Sequence, residues 1–200
     1  MSARRILIVY GTSYGQTARV ASRIRHQLSR HGFIVTLRKG DELPDGFSPA
    51  DFDAVLVGAS MIIGGYQKYI GAFVRRHVDA LNALPSGFFA VSGSAGSANA
   101  VESTEAQRRM MAFYKGAGWH PTFTASIAGA IAYTKYNVFV RWMMKRISRK
   151  EGVSTDTSRD HEYTDWTQVE RFAEQFAEHV EGLGTRRDAR STGGYTPATV

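Results

Sequence analysis

The chain has 200 residues, of which 43% are hydrophobic and 22% charged, a length and composition that predict one globular domain and exclude a disordered chain. Its formal net charge of +7 indicates an anionic partner, such as nucleic acid, acidic lipid or a polycarboxylate. The absence of cysteine excludes disulfides, cysteine-ligated zinc, thiol catalysis and iron–sulfur clusters, so any redox chemistry must use an organic cofactor.

Apolar runs of strand length alternate along the chain with segments of helical period. Residues 6–10 form a continuous aliphatic run, typical of a strand covered on both faces, and residues 16–30 predict a helix that ends near Gly32. Further strands are predicted over residues 33–37, 53–58, 87–92 and 123–131. The second predicted helix has an apolar stripe of Tyr69, Phe73, Val74 and Leu81, and the third carries Gln107, Met110, Met111 and Tyr114. The last has one face of Trp166, Val169, Phe172, Ala173, Phe176 and Val180.

This alternation predicts the α/β fold class, as a three-layer, doubly wound, five-stranded parallel sheet joined by right-handed crossovers. The flavodoxin-like strand order 2-1-3-4-5 uses five strands and places its ligand crevice at their carboxyl ends, beside the switch between strands one and three. Loops 11–17, 59–66 and 93–99 are then the candidate site. The last helix is expected over residues 165–181, with Thr164 as its N-cap.

Two features of the sequence bear on where the protein lies in the cell. No apolar run reaches the roughly 20 residues that span a bilayer, and the N-terminus lacks a signal-peptide pattern, so we expect a cytoplasmic protein. Residues 1–182 are expected to form the domain. Residues 183–200 are polar and without period, and they predict a disordered tail.

The segment GTSYGQT, residues 11–17, lies between the first strand and the first helix. It matches neither the Walker A pattern GxxxxGK[ST] nor the dinucleotide fingerprint GxGxxG. At a helix start, free backbone N–H groups and the positive end of the dipole favour an anion. The hydroxyls of Thr12, Ser13 and Thr17 can donate to one terminal phosphate, as can the amide of Gln16. We interpret the segment as an uncharged cradle for a phosphate monoester, with plain helix capping as the alternative.

On these motifs the chain resembles the flavodoxin family, whose FMN-phosphate loop has the form [ST]-x-[ST]-G-x-T after strand one. The match runs over residues 12–17, with Tyr14 in place of the third-position hydroxyl. The segments VGASMIIGGYQKYIGAFV, ALPSGFFAVS, GWHPTFTASIAGAI and EYTDW resemble the menaquinone-dependent protoporphyrinogen IX dehydrogenases, flavodoxin-fold enzymes of haem biosynthesis. These motifs span the chain from Ile6 to about Val180.

The resemblance implies an FMN site in which the first loop holds the phosphate and two later loops flank the isoalloxazine. The implied residues are Thr12, Ser13, Tyr14, Gly15, Gln16 and Thr17 for the phosphate, and Ser60, Met61, Ile62, Ile63, Gly64, Gly65, Ser92, Gly93, Ser94, Ala95 and Gly96 for the ring. Ile62 and Ile63 stand where the related enzymes show a basic and an aromatic residue, so Tyr66 is the candidate for a stacking ring. We name no catalytic residue, since the hydrogen transfer belongs to the cofactor.

Residues 133–163 are long for a connection in an α/β fold, where about two to six residues are usual. The stretch YTKYNVFVRWMMKRISRK combines apolar residues at helical spacing with six basic residues and no acid. Such a basic amphipathic helix suits an anionic membrane surface. Packing on the domain, a homodimer contact and nucleic acid are the alternatives. The expected membrane or substrate contacts are Lys135, Phe139, Arg141, Trp142, Lys145 and Arg146.

These observations support one principal hypothesis and two others. The first is an FMN enzyme, peripheral on the inner face of the membrane, that oxidises a tetrapyrrole-like or other hydrophobic reduced substrate and reduces a menaquinone-like quinone. A flavodoxin-type electron carrier or quinone reductase is the second, although such carriers are generally acidic. A cofactor-free binding module is the third.

The six histidines form no metal pattern and GSAGS is not GxSxG, so we predict neither a metal site nor a serine hydrolase. We expect no nucleic-acid partner.

Overall fold

The computed structural model describes residues 3–61, 65–93, 100–135, 138–151 and 156–192. Within these ranges, a parallel sheet has the order β2-β1-β3-β4-β5. Its strands are β1 (Arg5–Gly11), β2 (Ile34–Lys39), β3 (Ala54–Ser60), β4 (Ser86–Ser92) and β5 (Phe123–Ala128). The predicted fold class and strand order are confirmed.

Helices cover both faces of this sheet. They are α1 (Gln16–Arg30), α2 (Lys68–Arg76), α3 (Val78–Ala83), α4 (Ala100–Gly116), α5 (Val138–Glu151) and α6 (Trp166–Thr192). Successive residues of β1 point to opposite faces, so Ile6 and Ile8 pack with α1 and α6, whereas Leu7 and Val9 pack with α2, α3 and α4. All four side chains are fully buried, which explains the unbroken aliphatic run in the sequence.

Two predicted elements are divided in the structure. The apolar stripe from Tyr69 to Leu81 lies on two helices, because His77 leaves helical geometry at φ −118° and ψ 21°. The fifth strand ends at Ala128 rather than Ile131. At Gly129 the chain leaves the sheet, and a short strand β6 (Ala130–Ile131) pairs antiparallel with β7 (His161–Glu162). This pairing joins the two ends of the long insertion.

The last helix differs from its prediction at both ends. Asp165, not Thr164, caps it, since Asp165 Oδ1 accepts the N–H groups of Thr167 and Gln168. Thr164 Oγ1 instead donates to the carbonyl of Ala128 at 2.8 Å. The helix continues to Thr192, past the predicted end at residue 181. Gly182 and Gly184 are followed by three arginines and an alanine, which favour helix. Residues 193–200 of the predicted tail lie outside the described part of the chain.

A buried hydrogen-bond relay fixes the segment before β4. Trp119, fully buried, donates its Nε1–H to Ser86 Oγ at 3.0 Å, and Ser86 Oγ donates to the carbonyl of Leu81 at 2.8 Å. Replacing Ser86 leaves two buried polar groups without partners. Each such group costs about 1–3 kcal/mol.

We therefore expect Ser86→Ala to lower the free energy of unfolding by about 2–4 kcal/mol, measured by urea denaturation. The matched control is Ser29→Ala on the exposed surface of α1, which we expect to stay within about 0.5 kcal/mol of wild type. Equal stabilities of Ser86→Ala and Ser29→Ala would contradict the relay.

Candidate cofactor site

The candidate site lies where β1 and β3 end side by side. β1 pairs with β2 on one side and with β3 on the other, and the chain leaves β1 and β3 toward helices on opposite faces of the sheet. The carboxyl ends of such strands form a crevice at this switch point. The loop after β1 and the loop after β3 therefore border one cleft.

The loop after β1 is built to present donors. Gly15 is the N-cap of α1 in left-handed geometry, with φ +96°, and its N–H donates to Thr12 Oγ1 at 2.9 Å. A Cβ built at Gly15 would meet nothing within 4 Å, so the turn faces open space. The first N–H groups of α1 have no carbonyl within the helix to bond. The turn thus offers donors at the positive end of a helix dipole.

Thr17 tests whether a phosphate fits this loop. Its side chain is fully buried, and Thr17 Oγ1 has no hydrogen-bond partner within the described residues. A buried hydroxyl without a partner costs free energy, and such groups in native proteins usually serve a ligand or water. The hydroxyl of Thr12 accepts from Gly15 and keeps its own hydrogen for another acceptor. Both residues fit a phosphate monoester.

The side chain of Gln16 has a different role from the one predicted. Its Nε2 donates to Thr164 Oγ1 at 2.7 Å and to Glu162 Oε1 at 3.2 Å, and its Oε1 accepts from Arg19 at 3.0 Å. The amide therefore ties α1 to the segment before α6 and does not donate into the cradle. Only the backbone N–H of Gln16 remains for a phosphate.

The loops after β3 and β4 are described in part. Ser60 and Met61 are half-buried at the end of β3, and the Met61 N–H donates to the carbonyl of Val91 at 2.9 Å. Gly65 is exposed. Ser92 is buried, and Gly93 follows it at the end of β4. The remaining predicted ring contacts, Ile62, Ile63, Gly64, Ser94, Ala95 and Gly96, lie outside the described residues.

Tyr66, the candidate stacking ring, is half-buried and packs against the core. Its ring is 4.8 Å from that of Phe113 and 5.6 Å from that of Phe88, measured between centroids. Burial raises the pKa of its phenol. The structure therefore places this ring among the aromatic residues between β4 and α4.

The start of the insertion lies against residues 11–17, the predicted phosphate loop. Tyr14 packs against the buried cluster of Ile131, Ala132 and Tyr133, and Lys135 Nζ donates to the Tyr14 carbonyl at 3.4 Å. Lys135 was expected at a membrane or substrate. The structure places it against the loop, so the insertion brings a positive charge to a cradle that has none of its own.

Helix α5 of the insertion has one buried side and one exposed side. Tyr133 donates its hydroxyl to Ser148 Oγ at 2.7 Å, and both side chains are fully buried. The opposite side carries exposed Trp142, 59% accessible, with the Arg146 guanidinium 5.9 Å from its ring centroid. Val138, Lys145 and Arg149 are also exposed, and Arg141 is half-buried. The side chain of Phe139 lies outside the described part.

Two residues at the start of α2 also contact the phosphate loop, and the sequence analysis did not select them. Gln67 Nε2 donates to Ser13 Oγ at 3.0 Å, and the Thr12 N–H donates to the Tyr69 hydroxyl at 3.3 Å. The only sequence signal was a glutamine where a helix would ordinarily have a serine, threonine or aspartate cap. In the ranges that the structure describes, no group of three His, Asp or Glu side chains is placed to hold a metal ion.

A five-stranded parallel sheet of this order, with an uncharged anion cradle after its first strand, defines the class of flavodoxin-type α/β domains. The model of the family described as Flavodoxin domain matches residues 7–158. The chain belongs to this family.

Two relatives that are more than 30% identical to this chain confirm the resemblance drawn from the motifs. The protoporphyrinogen IX dehydrogenase (quinone) of Escherichia coli strain K12 is 33% identical over 173 residues, 86% of this chain and 93% of that protein. The protein of the same name from Leishmania major is 31% identical over 176 residues, which cover 86% of this chain and 74% of that protein.

Solved structures support the fold. Oxidised flavodoxin 1 from Bacillus cereus superposes with a TM-score of 0.54 at 12% identity, over 88% of this chain and 98% of that one. The rubredoxin oxygen:oxidoreductase of Desulfovibrio gigas gives a TM-score of 0.53 at 14% identity, over 89% of this chain but 36% of that chain. At these identities the likeness shows the fold alone.

The unpartnered hydroxyl of Thr17 leads to a test. Without a cofactor, Thr17→Val removes a buried polar group that bonds nothing, so we expect the free energy of unfolding to stay equal or to rise. With FMN, the variant lacks a donor to a charged phosphate, a bond of about 1.5–3 kcal/mol, so we expect affinity to fall at least tenfold. Urea denaturation measures the free energy of unfolding, and flavin-fluorescence titration measures the affinity for FMN.

Thr124→Val, on the exposed surface of β5, is the matched control and should leave FMN affinity unchanged. If Thr17→Val destabilises the cofactor-free protein by more than about 1 kcal/mol, the hydroxyl has a structural partner and its assignment to the cradle is wrong.

Proposed function

We propose that this chain is an FMN-dependent oxidoreductase that oxidises a porphyrinogen-like reduced substrate and passes the electrons to a membrane quinone. The observation that carries the proposal is the open cradle after β1, with left-handed Gly15 and three hydroxyls, one of which is buried and has no protein partner within the described residues. Its donors suit the terminal phosphate of a flavin mononucleotide.

The chain would supply binding and orientation, and the flavin, when bound, would supply the hydrogen and electron transfer. Thr12, Ser13 and Thr17 would hold the phosphate together with the first N–H groups of α1. Ser60 ends β3 at the border of the cleft, Ser92 ends the neighbouring β4, and both would lie beside the ring system. For each pair of hydrogens that the substrate loses, one quinone would take up two electrons and two protons to become a quinol.

The substrate class comes from the relatives. The enzymes from Escherichia coli and Leishmania major carry a name that gives protoporphyrinogen IX as donor and a quinone as acceptor. The alignment with the first covers 86% of this chain and 93% of that protein, so the two are related over most of their length. The positive net charge and the insertion also favour this enzyme over a flavodoxin-type carrier, whose class is generally acidic.

The proposal predicts a yellow protein that oxidises protoporphyrinogen IX. Purified protein should show a flavin absorption spectrum or acquire one on addition of FMN. Under anaerobic conditions it should oxidise protoporphyrinogen IX only when a menaquinone analogue is present, followed by porphyrin fluorescence.

Transfer to protein partners without porphyrinogen oxidation would instead favour an electron carrier. A colourless protein that takes up no FMN would leave only a cofactor-free binding module. Both outcomes would contradict the proposed reaction.

We also propose that the exposed side of α5 contacts an anionic membrane, where a hydrophobic substrate and a quinone would be available. Trp142, Lys145, Arg146 and Arg149 share this side with Val138. An exposed tryptophan among cations is typical of helices that lie at a lipid interface. Among the described helices, none has the length and apolar character needed to cross a bilayer, so such contact would be peripheral.

The triple variant Lys145→Gln, Arg146→Gln, Arg149→Gln tests the membrane contact. Each basic residue contributes about 1 kcal/mol at an anionic surface, so we expect partition onto phosphatidylglycerol vesicles to fall about a hundredfold in a sedimentation assay. The control removes the same charge elsewhere, as Arg25→Gln, Arg75→Gln, Arg76→Gln on exposed positions of α1 and α2. Equal losses in both triple variants would mean that net charge, not α5, governs binding.

A further inference from the structure

Gln67 precedes α2 as its N-cap, yet its side chain makes no capping hydrogen bond. Glutamine is a poor residue for this position, where a short side chain normally bonds the first N–H groups of the helix. A residue that breaks a local rule of this kind usually serves something else. In this structure the side chain of Gln67 turns into the crevice between the ends of β1 and β3.

The orientation of the Gln67 amide follows from one backbone contact. The N–H of Ser60 approaches Gln67 Oε1 at 3.2 Å, and an N–H can only donate, so this atom must be the carbonyl oxygen. The NH₂ group therefore faces the other way. It donates to Ser13 Oγ at 3.0 Å and, in a shorter contact, to Ser60 Oγ.

This arrangement fixes the direction of two hydroxyls. An amide nitrogen accepts no hydrogen bond, so Ser13 Oγ and Ser60 Oγ must both accept from Gln67, and their own hydrogens must point elsewhere. Ser13 lies on the phosphate loop and is exposed, whereas Ser60 ends β3 at the border of the cleft. Both hydroxyls are left to donate to whatever occupies the crevice.

We propose that Gln67 is a positioning residue that directs the Ser13 and Ser60 hydroxyls as donors toward the bound cofactor, and this inference rests on the proposed FMN function. One amide would thereby prepare two loops, one for the phosphate and one for the remainder of the flavin. Preorganised donors bind an anion without the cost of reorienting on binding.

The backbone of β1 makes room for this amide. A Cβ on Gly11 would lie 2.8 Å from Gln67 Oε1 and 2.6 Å from Ile70 Cγ1, closer than real Cβ contacts come. Tyr69, on the same turn of α2, accepts the Thr12 N–H. The first turn of α2 is therefore seated directly against the phosphate loop, and glycine at position 11 permits it.

A double-mutant cycle tests the proposal with flavin affinity as the readout. Gln67→Met has a similar length but cannot donate, and Ser13→Ala lacks the hydroxyl. We expect each to raise the Kd for FMN about tenfold, and the double variant to raise it no further than the larger single effect. Riboflavin lacks the phosphate, so Ser13→Ala should leave its Kd unchanged. Gln107→Met, exposed on α4, is the matched control and should bind FMN as wild type does.

Gln67→Glu keeps the acceptor for the Ser60 N–H, and so retains that structural contact, but offers the hydroxyls an acceptor in place of a donor. We expect its loss of FMN affinity to exceed that of Gln67→Met, because the hydroxyl hydrogens turn toward the carboxylate. FMN affinity like wild type in Gln67→Glu would overturn the positioning role, as would fully additive effects in the cycle. Failure of the wild-type protein to bind FMN would instead overturn the proposed function itself.

Discussion

The site depends on one topological constraint: β1 is flanked by β2 and β3, and the chain leaves β1 and β3 toward opposite faces of the sheet. The two loops that follow must separate, because one leads to α1 and the other to α2. A crevice is the necessary result, and backbone N–H groups at the helix start line one side of it. Gln67 bridges the gap by bonding Ser13 on one loop and Ser60 on the other. The crevice is therefore spanned by the Gln67 amide, beside the hydrogen bond from the Thr12 N–H to the Tyr69 hydroxyl.

The cradle carries no formal charge of its own, and the cations beside it bond other groups. Residues 12–17 include no ionisable acid or base other than the phenol of Tyr14, so an anion would be held by N–H groups, hydroxyls and the helix dipole. The nearby guanidinium of Arg19 is engaged by Glu162 at 2.7 Å. Lys135 bonds a carbonyl of the loop rather than entering it. An uncharged cradle loses less affinity with rising salt than a cationic one does, because directed hydrogen bonds are screened less than exposed charges.

Local patterns were sufficient for the strands and their order, since continuous aliphatic runs that alternate with helical periods are local features. The assignment of residues 12–17 to a phosphate stays a prediction. Local patterns were insufficient wherever a side chain finds its partner far along the chain. Gln16 bonds Thr164, 148 positions away, and Gln67 bonds Ser13, 54 positions away. Their sequence surroundings do not indicate either contact. The early end of β5 at Ala128 likewise depends on the return of β7 to pair with β6.

The insertion is continuous with the site rather than an appendage. Tyr14 of the predicted phosphate loop packs against the cluster of Ile131, Ala132 and Tyr133, and Tyr133 bonds the buried Ser148 of α5. Two contacts therefore separate the cradle from the helix whose other side exposes Trp142. Because a porphyrinogen-like substrate and a quinone are both poorly soluble in water, a flavin enzyme acting on them benefits from a short path between lipid and cofactor. The packing of Tyr14 on the cluster that contains Tyr133 fixes where that path would begin.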